Sequence, residues 1–129
     1  MTAQATQMIT VTTGSGVIDA GGVEYNLSGD FGGFATDDDS AQLLVSFLGG
    51  SQLPIGGSIN IGDYGAAFRN NNTDLFSASA KGSLPIGTRT IQVSVNMTRT
   101  NGTYNDGYAD NLSLVLRPPT LYLPQLLHQ

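Results

Sequence analysis

Ile91-Gln92-Val93-Ser94-Val95-Asn96-Met97-Thr98 alternates apolar and polar residues without a break. Successive side chains of a strand point to opposite faces. This period of two therefore places Ile91, Val93, Val95 and Met97 on one face and Gln92, Ser94, Asn96 and Thr98 on the other. Working outward, Val23, Tyr25 and Leu27 alternate with Glu24, Asn26 and Ser28. Ala41 to Leu48 is an apolar run broken only by Gln42 and Ser46, which reads as a strand buried on both faces. Leu112, Leu114 and Leu116 form another inward row, and weaker strands are expected near 7–13, 57–61 and 74–81. Turn signals separate these runs: Gly14-Ser15-Gly16, Gly21-Gly22, Gly32-Gly33, Gly49-Gly50, Pro54-Ile55-Gly56-Gly57, Pro85-Ile86-Gly87 and Asn101-Gly102. No window shows a sustained 3.6-residue period with a capping residue, so almost no helix is expected. Short strands at this spacing argue for an all-β fold, a single antiparallel jelly-roll β-sandwich, ahead of a barrel.

The 129 residues suit one domain. With no cysteine there is neither a disulfide scaffold nor a thiol nucleophile. The net charge is −5, and the five bases (Arg69, Lys81, Arg89, Arg99, Arg117) are scattered, so a nucleic-acid partner is not expected. No apolar run approaches the ~20 residues that span a bilayer, so membrane insertion is not expected either. The opening MTAQATQMITV lacks the basic and apolar regions of a secretory signal. It fits a mature fragment with an added Met, or an assembly subunit made inside a cell and released later. Catalysis has weak support, and the protein is not expected to be an enzyme. His128 is the only histidine and lies at the C-terminus, and the acids fall mostly in turns.

Residues 1–117 are read as the sandwich and 118–129 as an apolar tail. Arg117-Pro118-Pro119 ends the last strand, because proline cannot donate to a ladder. Thr120 to Gln129 carries four Leu, one Tyr and no charge with His128 neutral. Such a segment is rarely left in water without a use. It packs either on its own sandwich or on a neighbouring subunit.

Arg99 to Leu114 joins the long alternating strand to the last one. Within it, Tyr104-Asn105-Asp106-Gly107-Tyr108-Ala109-Asp110-Asn111-Leu112-Ser113-Leu114 resembles the closing loop and strand of galactose-binding-like jelly-roll domains, carbohydrate-binding-module-like units of bacterial extracellular proteins. The similarity extends through Leu84 to Arg89, Ile18 to Val23 and Leu27 to Phe34, and covers about residues 7–117. The resemblance implies a β-sandwich that often binds glycans and often holds structural calcium. Asp106 and Asp110 are then candidate calcium ligands, with Asp37 and Asp39 of the Asp37-Asp38-Asp39 run as a second set. Calcium takes about six to eight oxygens, and three adjacent Asp cannot all face one ion from an extended chain. The bland reading is that these acids cap turns. Family members usually carry further strand-forming sequence before the segment matching Met8-Ile9-Thr10-Val11, where this chain has seven residues. A jelly roll without its first strand exposes an edge that invites pairing.

Sugar recognition uses flat aromatic faces with a few fixed polar groups. Tyr104, Asn105, Tyr108, Tyr64 and Arg69 are the candidate glycan-binding residues, while Phe31, Phe34 and Phe68 are expected to plug the ends of the sandwich. Arg69, in Phe68-Arg69-Asn70-Asn71-Asn72-Thr73-Asp74, donates either to a sugar hydroxyl or to a local acid such as Asp74. Two functions follow. The first is a structural or attachment subunit on a virion or extracellular filament, a homo-oligomer or part of a larger assembly, exposed on an extracellular or virion surface. The second is a carbohydrate-binding module, stabilised by calcium. The absent signal, the shortened start and the apolar tail support the first, and the reading leans to it because the resemblance fixes the fold better than the ligand.

Overall fold

The computed structural model describes residues 2–100 and 106–119. It is a sandwich of two antiparallel sheets built from seven strands. These are β1 (Thr2–Thr10), β2 (Glu24–Gly33), β3 (Ser40–Leu48), β4 (Ile59–Gly62), β5 (Asp74–Ser83), β6 (Thr90–Thr98) and β7 (Gly107–Arg117). One sheet has the order β1-β6-β3-β4, the other β5-β2-β7.

The alternation read from Ile91 to Thr98 sets the register. Across the first sheet, Ala5, Val95 and Leu43 lie side by side, as do Ile9, Ile91 and Phe47. In the second sheet, Leu27 lies between Ala80 and Leu114, and Phe31 between Phe76 and Ala109. Leu27, Phe31, Leu43, Val45, Phe47 and Ile91 from the facing sheets form the buried core. Each such side chain contributes about 1.5–3 kcal/mol on burial.

The sequence expectation places the first strand at about residues 7–13. The observed β1 starts five residues earlier and ends at Thr10. Its early inward positions are only Ala3 and Ala5, too small to show as a hydrophobic row, and most of the strand is exposed. After it, a 3₁₀ turn (Thr12–Gly14) and a one-turn helix, α1 (Ser15–Asp19), replace what reads as a plain glycine turn. Ile18 of α1 is buried against the core. Asp19 accepts hydrogen bonds from both terminal nitrogens of Arg89 and from the Gly87 amide, which holds its carboxyl below the ordinary carboxylate range. The pair is solvent-screened, so it fixes position more than it stabilises.

The two lateral sides of the sandwich differ. On one, β4 approaches β5 and the core is covered. On the other, β1 and β7 stand apart, and no described strand pairs with the outer edge of either. The inward row of Leu112, Leu114 and Leu116 therefore forms a rim, with Leu112 exposed and the other two half-buried.

Candidate functional site

Three loops meet at the end of the sandwich where β2, β4 and β6 finish: β2–β3, β4–β5 and β6–β7. One buried cation organises two of them. Arg69 is 1% exposed, and among the described residues its guanidinium donates only to backbone carbonyls. Nη1 reaches Ala35 O at 2.9 Å and Asn72 O, Nη2 reaches Asp37 O at 2.6 Å, and Nε reaches Tyr64 O at 3.4 Å. The planar fork lets one side chain serve several fixed acceptors. The expectation that Arg69 meets a sugar or Asp74 is thus revised: it is turned inward and staples the β4–β5 loop to the β2–β3 loop. The chain makes room for it at Gly33, where an added Cβ would lie 2.8 Å from Arg69 Nη2 and 2.9 Å from Asp39 O. Asn70 and Asn71 supply the left-handed turn beside it, at φ 53° and 60°, a conformation asparagine tolerates better than most residues.

The three consecutive aspartates divide their work. Asp38 Oδ1 accepts the Ala66 amide at 2.9 Å. Asp37 and Asp39, in the β2–β3 loop, meet Asp106, the residue just before β7. Ligand oxygens of these three lie within 4.8 Å of one another. Asp39 is fully buried and holds both ends of the β6–β7 loop. Its Oδ1 accepts the Thr100 amide at 2.6 Å and the Thr100 hydroxyl at 3.1 Å, and its Oδ2 accepts the Asp106 amide at 3.0 Å. Asp106 shares a hydrogen bond with Asp37. That bond, some desolvation, and repulsion from Asp37 and Asp39 raise its carboxyl above the ordinary range. Carboxylates this close favour retaining a proton or acquiring a cation. A hard divalent ion fits the donor set, since all three offer carboxylate oxygen.

Asp110 lies outside this group. It is exposed on β7 opposite Asp30, and its Oδ1 accepts the Asn111 amide at 2.8 Å. The expectation of Asp106 and Asp110 as one ligand set is therefore replaced by Asp37, Asp39 and Asp106. Tyr104 and Asn105 lie outside the described residues. Tyr108 is half-buried and paired with Gly32 at the same end of the sheet.

The same end carries an aromatic corner. Tyr64 and Phe68 stack with centroids 4.2 Å apart and planes 14° apart. Phe76 closes on both edge-on, at 5.1 Å from Phe68 and 6.0 Å from Tyr64. Phe68 is 58% exposed and Phe34 49% exposed, while Phe31 is fully buried in the core. The plug reading therefore holds for Phe31 and fails for the other two. Sequence offered little signal for Phe68, because its exposure depends on Arg69 turning inward beside it.

No family model matches the sequence, and no curated protein matches it. Among solved structures, the enzymatically active domain of bacteriophage CBA120 tailspike protein 4 is similar over 90% of this chain and 14% of that chain, with a TM-score of 0.59 and 13% identity. The chain thus spans about one seventh of the tailspike structure. A family 16 carbohydrate-binding module is similar over 89% of this chain and 70% of that one, with a TM-score of 0.52 and 15% identity. At these identities the likeness is one of fold. The chain is a two-sheet antiparallel β-sandwich of the kind found in carbohydrate-binding modules. Among the described residues no helix is long and apolar enough to cross a membrane.

Proposed function

We propose that this chain is a non-catalytic glycan-binding module of an extracellular or virion surface, with the Tyr64–Phe68 corner as its contact and Asp37, Asp39 and Asp106 as a calcium site beside it. One observation carries the reading: Phe68 is an exposed ring stacked on a second ring, in a loop that the buried Arg69 holds from beneath. A flat ring fixed in advance offers stacking to a sugar with little ordering cost. Asn70, Asn71 and Asn72 follow Phe68 after Arg69 and supply amides for hydroxyl recognition. The fold shared with a carbohydrate-binding module is in keeping with this role.

Affinity electrophoresis through a panel of soluble polysaccharides tests it. The parent chain should be retarded by at least one polysaccharide, and Phe68→Ala should abolish the retardation at nearly unchanged melting temperature. Retardation by none, or equal retardation of the variant, would remove the basis of the reading.

A second reading, a structural or attachment subunit, is favoured by the outer edges of β1 and β7, which no described strand pairs. Exposed edges pair with other chains. Light scattering on a sizing column should then show a defined oligomer, whereas a monomer at all concentrations would leave the edges without that role.

A further inference from the structure

The open side of the sandwich is a groove of about 470 Å³ between the two sheets. Ile9, Leu27, Leu43, Val95, Leu112 and Leu114 line it. It is core that the described strands leave uncovered. A second hollow adjoins it, lined by Thr10, Val11, Leu116 and Pro118. The two share one side of the molecule, so the groove runs from Ala5 and Leu112 to Thr10 and Pro118. Along it β1 and β7 point the same way.

We propose that this groove is a strand-accepting site and that its occupant is residues 120–129 of the same chain, lying antiparallel to β1. Four observations carry this. The segment leaves the described chain at the mouth of the groove, where Pro118 lines the adjoining hollow and Pro119 packs within 3.2 Å of the position a Gly22 Cβ would take. Ten extended residues reach about 33 Å, and β1 with its nine residues is about 30 Å long. The segment brings Leu121, Leu123, Leu126 and Leu127 with no Asp, Glu, Lys or Arg, matching an apolar lining. The outer backbone edges of β1 and β7 have no described partner, so an added strand gains ladder hydrogen bonds, except from Pro124, as well as apolar contact. A segment tethered at the groove mouth outcompetes the same segment on another molecule through its effective concentration. The inference holds whether or not Phe68 meets a sugar.

The absence of cysteine makes a crosslink test clean. Ala5 lies five residues back from Thr10, so its neighbour falls about five residues past Pro119. The full chain carrying Ala5→Cys with Leu123→Cys, oxidised in air, should form a disulfide within one chain, in yield unchanged over a ~100-fold range of protein concentration. Pairing Ala5→Cys with Leu121→Cys or Leu126→Cys brackets the register. Asn60→Cys on the far edge strand, paired with Leu123→Cys, should give none. A disulfide-linked dimer whose yield rises with concentration would overturn the proposal and assign the groove to a second copy. No crosslink at any of the three tail positions would also overturn it. Hydrogen exchange gives a second measurement that needs no cysteine. Leu121→Asp with Leu123→Asp should speed exchange of the outward amides of β1 at least tenfold, and unchanged rates would overturn the proposal as well.

Discussion

Arg69→Met is the substitution that most directly tests how the loop end is built. Methionine keeps the apolar stem and removes every donor. Four carbonyls, of Ala35, Asp37, Tyr64 and Asn72, then lose a charged partner inside the protein. A buried polar group left without a partner costs about 1–3 kcal/mol. Water entering the space vacated by the guanidinium rebonds some of the carbonyls, so the net loss is expected at about 3–5 kcal/mol. For a domain of this size each kcal/mol moves the melting temperature by about 3–5 °C, which gives a fall of roughly 10–20 °C. Differential scanning calorimetry measures it. Arg69→Lys should fall between parent and Arg69→Met, because one ammonium cannot span acceptors arranged around a planar fork. A fall of less than about 3 °C for Arg69→Met would refute the reasoning, since a change that small leaves the carbonyls satisfied without Arg69.

Three further outcomes are expected. Gly33→Ala should destabilise by about 1–3 kcal/mol, because its Cβ meets Arg69 and the Asp39 carbonyl. Combined with Arg69→Ala it should cost less than the two singly added, and strict additivity in a denaturant-melt double-mutant cycle would deny the clash. Asp39→Ala should loosen the β6–β7 loop by orphaning the Thr100 and Asp106 amides, at about 1–3 kcal/mol each. Hydrogen exchange at these two amides reads that directly. Asp106 holds its proton more tightly in the folded chain than in the unfolded one, because of its bond to Asp37, its desolvation and the charges of Asp37 and Asp39. Its stabilising contribution is present below the ordinary carboxylate pKa of about 3.9 and is lost as pH rises through the raised value. Calcium bound at the proposed site would displace that proton, so the gain in melting temperature from millimolar calcium should grow between about pH 4 and 7 and vanish with chelator. A gain independent of pH, or none at pH 7, would deny calcium to these three acids.

The sandwich was legible because its central strands obey a period of two. Ile91 to Thr98 and Ala41 to Leu48 became β6 and β3, the two inner strands of the larger sheet. The edge strand β1 was only half legible, because Ala3 and Ala5 face inward beneath no covering layer, where a large apolar side chain is not demanded. The acidic cluster was legible in part. Asp37 and Asp39 entered only as what the family resemblance implies, and the joining of Asp106 instead of Asp110 to them depends on the register of β7. A bulge at Asn111, with φ 53°, offsets that register and leaves Asp110 on the outer surface. The orientation of Arg69 was not legible at all. Its acceptors are backbone carbonyls from two loops, about 30 residues apart in sequence. A carbonyl is offered by every residue, so no side-chain pattern announces it.

Asp39 has a consequence for how such a module diversifies. Both ends of the β6–β7 connection are tied to one carboxylate, through Thr100 and Asp106. Five residues lie between those anchors. Doubling the length of such a connection costs only about 0.6 kcal/mol in closure entropy. Lengthening the connection between two anchors on one carboxylate is therefore cheap, much as it is for a hypervariable loop on an antibody framework.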